Sequence, residues 1–505
     1  MPARYLASMH ETKLNPLEEA HIRNEKLQSL IDAGIATYPA ASHRTCMVVE
    51  ARTHFDTWSA ELKKLTLCGR ILTIRIHGGL IFFNLQDASG AMQGLLKLDT
   101  IGEEQFNVFQ NKLDPADFVQ ITGTLFTTNR GEQTLLVSEW TLLAKAVLPL
   151  PDKFHGLKDL ETRFRQRELD LISNPDVKVI FKKRSHVIRA LRAALDAEGF
   201  EEVETPILQT IPGGTSAKPF LTHHNALDID IYLRIAPELF LKRLIVGGFE
   251  KIYELGRIFR NEGIDWSHNP EFTELEFYWA YQEYRGLMVS TEQLLQKVIQ
   301  DVNGSLQVTY NGNVIDFTGP WPIKKFRDAI QEKVSFDIAG IAREKLIGEM
   351  KKLKIDCDYV GASMGKLFDE LYKEVVRKPQ VQPLFIIDYP LEMEPLAKRC
   401  DDDPRFVQRF QLLVGGGIEL CKVYSELNDP IDQLNRFEEQ QVLRDKGDDE
   451  AQMIDAQFIT ALKHGLPPTA GLGMGIDRFV MLLTNASSLK EVILFPTMRP
   501  QNPEI

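Results

Sequence analysis

Residues 258–278 read IFRNEGIDWSHNPEFTELEFY, and their pattern defines the fold more sharply than any other stretch of the chain. Two strand-like runs flank a polar loop, which predicts a β-hairpin. Glu274, Glu276 and Tyr278 alternate along the second run and therefore project from one face of a strand. Three polar groups on one face need water or a polar ligand. The pattern favours a functional sheet face, although a hairpin with a solvated tip is the simpler alternative.

A glycine-rich segment, AGLGMGIDRFVMLL at residues 470–483, lies far downstream. Its three glycines alternate and precede an apolar helix that we expect to begin near Asp477. Alternate glycines allow a backbone to approach a flat ligand closely. Tight packing between a strand and a helix is the competing interpretation, because a single glycine-rich turn is a weak signal.

A third polar segment, GIELCKVYSELND, spans residues 417–429. Glu419 and Glu426 are seven residues apart, which is awkward for one face of one strand. The spacing suits two sides of a bend, where carboxylates can share hard cations such as Mg²⁺. A solvated acidic loop is the alternative.

The remaining chain predicts at least two folded parts. Residues 66–143 contain five short β-branched and aromatic runs separated by glycine turns, which favours a small closed barrel of the oligonucleotide-binding (OB) type. Helices are predicted at 14–34 and 177–198, and GFEEVETPIL (199–208) is predicted as a strand with Pro206 at an edge or interface. The predicted organisation is an N-terminal helical extension (1–65), the barrel (66–148), a linker (149–176) and a large α+β domain (177–505) with an α-rich insertion at about 305–375.

The composition excludes several classes of protein. The 505 residues contain 59 basic and 71 acidic side chains, a net charge of −12, which argues against a protein that simply coats nucleic acid. No apolar run is long enough for a transmembrane helix. Five scattered cysteines argue against a disulfide framework, and the N-terminus lacks the apolar core of a signal peptide, so a cytoplasmic location is expected. Residues 361–366, GASMGK, do not complete a P-loop.

Taken in order, FRNE…HNPEFT, SELND and GLGMGIDR resemble motifs 2 and 3 of the class II aminoacyl-tRNA synthetases, and GFEEVETPIL resembles their motif 1. IPGGTSAKPF, LTHHNALDIDIYLRIAPELFLKR and HGLPPTAGLGMGIDR are similar to the bacterial-type lysyl-tRNA synthetase family almost word for word. The resemblance extends over about residues 14–500. It implies an α+β fold, in which an N-terminal five-stranded OB-type β-barrel precedes a class II antiparallel-sheet catalytic domain with helices.

The resemblance also implies an activity and its partners. A member of this family activates L-lysine with ATP, releasing pyrophosphate, and transfers the lysyl group to the 3′ end of tRNA(Lys). It uses Mg²⁺ and works as a homodimer. Two alternatives stay open: a relative that lysylates a protein lysine, and a non-catalytic tRNA-binding regulator.

Residue roles follow from the same resemblance. Arg260 and Arg478 are implied as catalytic residues. The implied ATP-binding residues are Arg260, Glu262, His268, Asn269, Phe272, Glu419 and Arg478. The implied lysine-binding residues are Gly214, Glu238, Glu276, Tyr278, Glu426 and Gly473. Glu419 and Glu426 are implied as ligands of Mg²⁺. Arg75, Phe82, Gln93 and Glu132 are implied as anticodon-binding residues. Lys422 departs from the family, because many members have Asn at this position.

The charged residues are unevenly distributed along the chain. Residues 391–460 contain 8 basic and 16 acidic side chains, and they include both expected metal ligands. Residues 153–184 contain 9 basic and 5 acidic side chains, which predicts a strip that faces tRNA. The net negative charge therefore excludes a nonspecific polyanion binder but not a selective reader of tRNA.

Overall fold

Five strands close into a barrel in the order β1-β2-β3-β5-β4 in the N-terminal part of the computed structural model. The structure describes residues 15–151, 157–447 and 451–501, and it divides into two units, residues 1–157 and 158–505. The barrel strands are β1 Leu65–His77, β2 Leu80–Gln86, β3 Ala91–Lys97, β4 Phe118–Thr127 and β5 Gln133–Ala144. The helices of this unit are α1 Pro16–Asp32, α2 Val48–Thr53, α3 Phe55–Ala60, α4 Leu98–Ile101 and α5 Glu103–Lys112. The predicted OB-type barrel is confirmed.

Alternating burial explains how the barrel is filled. Ile81, Phe83 and Leu85 on β2 are fully buried, whereas the residues between them face outward. Leu30 of α1 and Phe55 of α3 belong to the same apolar cluster as these strand residues. The helices before the barrel and the barrel itself therefore share one core.

The second unit is built on an eight-stranded sheet in the order β14-β15-β16-β17-β18-β11-β10-β6. All pairs are antiparallel except β14 with β15 and β10 with β6. The strands are β6 Glu201–Glu202, β7 Leu208–Gln209, β8 Leu221–His224, β9 Ile229–Leu233, β10 Lys251–Phe259, β11 Glu271–Ala280, β12 Gln307–Tyr310, β13 Asn313–Asp316, β14 Ile323–Lys325, β15 Leu384–Pro390, β16 Phe406–Val414, β17 Ile418–Ser425 and β18 Thr469–Gly475. The predicted antiparallel-sheet α+β domain is confirmed.

Helices cover much of this sheet. They are α6 Leu160–Arg165, α7 Arg167–Ser173, α8 Pro175–Ala197, α9 Glu238–Val246, α10 Tyr284–Asn303, α11 Phe326–Gln331, α12 Arg343–Lys352, α13 Met364–Tyr372, α14 Pro430–Asp445, α15 Ala456–Lys463, α16 Ile476–Thr484 and α17 Leu489–Val492. A π-helical turn covers Lys373–Arg377 and a 3₁₀ turn covers Leu391–Met393. Helices α8, α10 and α16 pack on one face of the sheet. Helices α11 to α13 form a second cluster with residues of β15 and β16 on the other face.

Several local predictions differ from the structure. The strand expected at 199–208 is reduced to β6 and β7, because Pro206 has no N–H to continue a ladder. The segment expected to be an α-rich insertion begins with the hairpin β12–β13 and with β14. The range expected to be a linker contains α6 and α7, and its residues 152–156 lie outside the described residues. No helix among the described residues is both long and apolar enough to cross a membrane.

Candidate active site

The central strands present a row of polar side chains with glycines between them. In the register of β11 with β18, Glu274, Glu276 and Tyr278 pair with Gly475, Gly473 and Gly471. On its other side β18 pairs with β17, where Lys422 and Tyr424 are opposite Gly473 and Gly471. A Cβ atom added at Gly471 would lie 2.4 Å from atoms of Tyr278 and Glu426. Gly471 therefore makes room for these two side chains. A Cβ atom at Gly473 would meet nothing closer than 3.8 Å, so the trough between the two polar strands is open there.

A β-bulge determines which carboxylate faces this trough. On β17, Cys421 pairs with Leu412 of β16, but Glu419 pairs with Leu413, so Leu420 is one extra residue. The bulge shifts the side-chain alternation by one position. The side chain of Glu419 consequently lies on the same face as that of Lys422. In a regular strand, two residues that are three positions apart would lie on opposite faces. One bulged strand replaces the bend that we expected between Glu419 and Glu426.

The larger of two adjoining cavities, about 330 Å³, brings together all the residues that we expected to bind ATP. They are Arg260, Glu262, His268, Asn269, Phe272, Glu419 and Arg478. Strands β10 and β11 and their connecting loop supply five of them, β17 supplies Glu419, and the first turn of α16 supplies Arg478. The hairpin and the glycine-rich segment therefore meet at one site, although they are about two hundred residues apart.

The polar groups of this cavity are held in place before any ligand binds. The guanidinium of Arg260 lies 5.0 Å from the ring centroid of Phe272 and 3.6 Å from the carboxylate of Glu274. The ring of His268 lies between Asp265, at 2.8 Å, and Arg478, whose guanidinium is 3.5 Å from Nε2. These contacts orient two guanidinium groups toward one space, an arrangement that suits phosphate oxygens.

Glu419 is an ionised carboxylate at the wall of this cavity. It accepts a hydrogen bond of 2.6 Å from Arg377, a residue that the sequence analysis did not identify. Burial favours a higher pKa for Glu419, but the charges of Arg377 and then Arg478 outweigh burial, so the pKa is lowered. Within the described ranges, no group of three or more potential metal-ligating side chains occurs. Glu419 thus offers an ionised carboxylate to a cation at the cavity, which Glu262, Glu274 and Asp477 also line.

The smaller cavity, about 40 Å³, continues from the larger one along the glycine trough. Five of the six residues expected to bind lysine line it: Gly214, Glu238, Glu276, Tyr278 and Gly473. The hydroxyl of Tyr278 donates a hydrogen bond of 3.0 Å to Glu276. Burial raises the pKa of Glu276 well above its usual value, and the charges of Glu274 and Glu238 raise it further. A cationic ligand would relieve this unfavourable accumulation of carboxylates.

Glu426, the sixth residue, lies behind the lining of the small cavity. Its carboxylate is paired with Lys242, which also donates a hydrogen bond of 2.6 Å to Glu238. All three side chains are buried. Burial acts to lower the pKa of Lys242, but the two carboxylates outweigh burial and raise it. We call Glu238, Lys242 and Glu426 the buried triad, and the roles expected for Glu426 in binding Mg²⁺ and lysine stay predictions.

The sequence analysis missed Lys242 and Arg377 as site residues. Lys242 follows Glu238 by four residues in α9, and that spacing alone predicts an ion pair on a helix. Its second partner, Glu426, is distant in the chain, so no local pattern indicates the triad. Arg377 lies in the π-helical turn after α13, and nothing near it in the sequence points to Glu419.

The barrel carries the residues that we expected to contact an anticodon. Phe82 is partly exposed and pairs with the exposed Arg75 across β1 and β2, whereas Phe83 is fully buried. Gln93 on β3 accepts a hydrogen bond of 3.0 Å from Thr134. The side chain of Glu132 is exposed at the turn before β5. An aromatic ring beside polar groups on an outward face suits stacking of an unpaired base.

Comparisons with known proteins agree with this geometry. Residues 159–499 match the family described as tRNA synthetases class II (D, K and N), and residues 65–143 match the OB-fold nucleic acid binding domain. Proteins described as lysine–tRNA ligase are similar over nearly the full length. One from Thermoanaerobacter pseudethanolicus is 49% identical, covering 96% of this chain and 97% of that protein. One from Moorella thermoacetica is 48% identical (95% and 97%), and one from Thermotoga maritima is 44% identical (95% and 95%).

Proposed function

Because this chain belongs to the class II tRNA synthetases of the D, K and N group, we propose that it activates L-lysine with ATP and transfers the lysyl group to tRNA(Lys). The observation that carries this function is the pair of adjoining cavities. One is lined by two arginines and an aromatic ring, and the other by buried carboxylates. The first suits a nucleotide triphosphate, and the second suits the ammonium groups of lysine.

We assign the residues of the larger cavity to ATP. Phe272 stacks on adenine, Glu262 accepts a hydrogen bond from its amino group, and Arg260 binds the α-phosphate. His268, with Asn269 beside it, and Arg478 bind the β- and γ-phosphates. The position of Arg478 in the first turn of α16 supports this assignment, because a helix N-terminus favours anions.

We assign the small cavity to lysine. Glu238 binds the α-ammonium group with the Gly214 backbone beside it. Glu276 and Tyr278 bind the ε-ammonium group, and Gly473 forms the floor between them. A neutral or anionic side chain would leave the buried carboxylates unpaired, which disfavours it by several kcal/mol, on the order of 1–3 per unsatisfied group.

We further propose that Mg²⁺ takes part in the reaction. Glu419 fits a ligand of this metal, because it is ionised, lies at the wall of the larger cavity and can be supplemented by phosphate oxygens and water. Bound Mg²⁺ would offset the charge of the triphosphate. Glu426 could join Glu419 through its Oε1 atom, which has no hydrogen-bond partner, while its Oε2 atom is paired with Lys242.

Lysine-dependent exchange of pyrophosphate into ATP, followed by charging of tRNA(Lys), tests the function. We expect both activities to depend on Mg²⁺ and to be lost with EDTA. Absence of exchange would favour the non-catalytic regulator. Exchange without charging of tRNA would favour a relative that lysylates a protein lysine.

Replacing Phe82 by alanine should reduce the charging of tRNA(Lys) without changing pyrophosphate exchange. The loss of one stacked base is worth about 1–3 kcal/mol, or roughly 10- to 100-fold in kcat/KM for tRNA. The adjacent Phe83 is the matched control, because its side chain fills the barrel core. Phe83→Ala should lower the melting temperature, whereas Phe82→Ala should not. A lowered melting temperature for Phe82→Ala would contradict its assignment to the tRNA surface.

We propose that the catalytic unit forms a homodimer through the small sheet β7-β9-β8. Leu208 and Ile229 share one face of this sheet and are 52% and 39% exposed, and Leu221, on the other face, is 59% exposed. Ile207 and Leu227 beside the strands are also exposed. Clustered exposed apolar side chains are typical of a protein interface. Five free cysteines, without a disulfide among the described residues, also support a reducing, cytoplasmic location.

The change Leu208→Asp should shift the protein from dimer to monomer in sedimentation velocity, because a buried unpaired carboxylate is strongly unfavourable. Leu353→Asp, at a similarly exposed leucine after α12, is the matched control and should leave the sedimentation coefficient unchanged. A Leu208→Asp protein that sediments as the wild type would exclude this sheet as the interface.

A further inference from the structure

Lys422 stands at the junction of the two cavities. It lines both of them and is partly buried on β17. In the register of the sheet it faces Glu276 across Gly473, two strands away, a distance of roughly 10 Å between backbones. No side chain stands between the two residues, because glycine occupies the intervening position. A cation and a carboxylate thus mark opposite ends of the trough.

Two cations near Lys422 are already engaged by carboxylates. Arg260 beside it is 3.6 Å from Glu274, and Lys242 is engaged by two buried carboxylates. Lys422 forms no ion pair with any other residue in the part of the chain that the structure describes. The carboxylate of Glu238 nevertheless senses its charge. Burial raises the pKa of Glu238, and the charges of Lys242 and, more weakly, Lys422 oppose this rise.

A partly buried ammonium group without a counter-ion is unfavourable unless a ligand supplies the anion. The anion must reach the point where both cavities meet, near Glu238 and Arg260. In a bound lysine the α-carboxylate is attached to the same carbon as the α-ammonium group that we assign to Glu238. This carboxylate is therefore the anion placed at the junction.

We propose that the Nζ of Lys422 binds the α-carboxylate of the substrate lysine and presents it to the α-phosphate of ATP. This inference deepens the proposed function and rests on it. One carboxylate oxygen forms a bond to the α-phosphorus while the bond from this phosphorus to the bridging oxygen breaks. Pyrophosphate leaves with the electron pair, and lysyl-adenylate remains. No proton moves in this step; Lys422 reduces the repulsion between two anionic reactants.

A purely electrostatic role is the competing explanation. Lys422 could serve only to moderate the negative charge around Glu238, with no contact to the substrate. A ligand that lacks the carboxylate separates the two possibilities. 1,5-Diaminopentane is lysine without its carboxylate, and it retains both ammonium groups.

The experiment measures the affinity of Lys422→Gln and wild type for L-lysine and for 1,5-diaminopentane, by calorimetry without ATP. We expect the variant to bind lysine about 10- to 100-fold more weakly, the usual cost of a lost charged hydrogen bond. Its affinity for the diamine should be unchanged or higher, because a repelling cation has been removed. Retained diamine binding also establishes that the variant is folded.

Lys324→Gln is the matched control, since Lys324 lies on β14 of the same sheet, is partly exposed like Lys422 and pairs with Glu332. It should bind both ligands as the wild type does. Equal loss of both ligands, or no loss of lysine affinity, in Lys422→Gln would overturn the inference. The wild type tests the function separately. If it shows no lysine-dependent pyrophosphate exchange, the proposed function fails. If it shows normal exchange but Lys422→Gln binds lysine with unchanged affinity, only the role of Lys422 is overturned.

Discussion

Replacing Arg478 by alanine should lower the rate of lysine-dependent pyrophosphate exchange by roughly 10²- to 10³-fold. Groups that are held in place to stabilise transition-state charge have effects of this size. Arg478 is held in this way: it lies in the first turn of α16, contacts His268 and lines the larger cavity. Burial lowers its pKa, partly offset by Glu419, so its guanidinium is poorly solvated and interacts strongly with an incoming phosphate.

Two controls make this result specific. Arg405→Ala removes an exposed arginine that pairs with Asp403, and it should leave exchange unchanged. Binding of tRNA(Lys) by Arg478→Ala should also be nearly unchanged, because the residues that we expect to bind the anticodon belong to the barrel. Wild-type exchange kinetics in Arg478→Ala would refute the assignment of this residue to ATP.

Replacing Lys242 by methionine should reduce the free energy of unfolding by about 3–5 kcal/mol, because two buried carboxylates lose their shared cation. The measurement is urea denaturation at neutral pH. Lysine activation should be lost as well, since Glu238 belongs to both the triad and the lysine cavity. A triple variant that adds Glu238→Gln and Glu426→Gln provides the control: without the carboxylates, most of the lost stability should return.

The defect of Lys242→Met should depend on pH in a defined direction. Burial raises the pKa of Glu426 and Glu238 even with Lys242 present, and Lys242 opposes the rise. Without Lys242 these pKa values rise further. A carboxyl with a raised folded-state pKa destabilises the protein most above that folded value. This cost declines as the pH falls below the folded pKa and is gone below the unfolded pKa. The variant should therefore recover stability relative to wild type between pH 8 and pH 5. A deficit that grows toward acid pH would exclude the triad as its cause.

The sequence predicted the parts of the site that have a local period. Glu274, Glu276 and Tyr278 share one face because strand alternation requires it, and the structure gives that arrangement. The alternating glycines of β18 could also be recognised in the sequence from their period of two. Only the register of the sheet shows that they lie between two polar strands. The barrel was predictable because glycine turns mark its strand ends.

Other features depend on contacts between distant residues and left no local signal. Glu426 reaches Lys242 only after β17 and α9 have packed together, and Arg377 reaches Glu419 from a turn with no distinctive pattern. The strand expected at 199–208 was wrong for a physical reason: its β-branched residues favoured a strand, but Pro206 limits the hydrogen bonding. The resemblance to a family supplied most residue roles, and these assignments await the tests above.

The extra residue at Leu420 has a consequence for comparing this chain with its relatives. Leu420 forms a bulge that reverses the side-chain alternation of β17. The direction of the Glu419 carboxylate therefore depends on this bulge as well as on the glutamate itself. A relative that keeps the same three-residue spacing but forms a regular strand, without the bulge, would point this carboxylate into the helical layer. Identity at aligned positions is therefore insufficient evidence that two relatives present this carboxylate to the same cavity; the bulge must be preserved too.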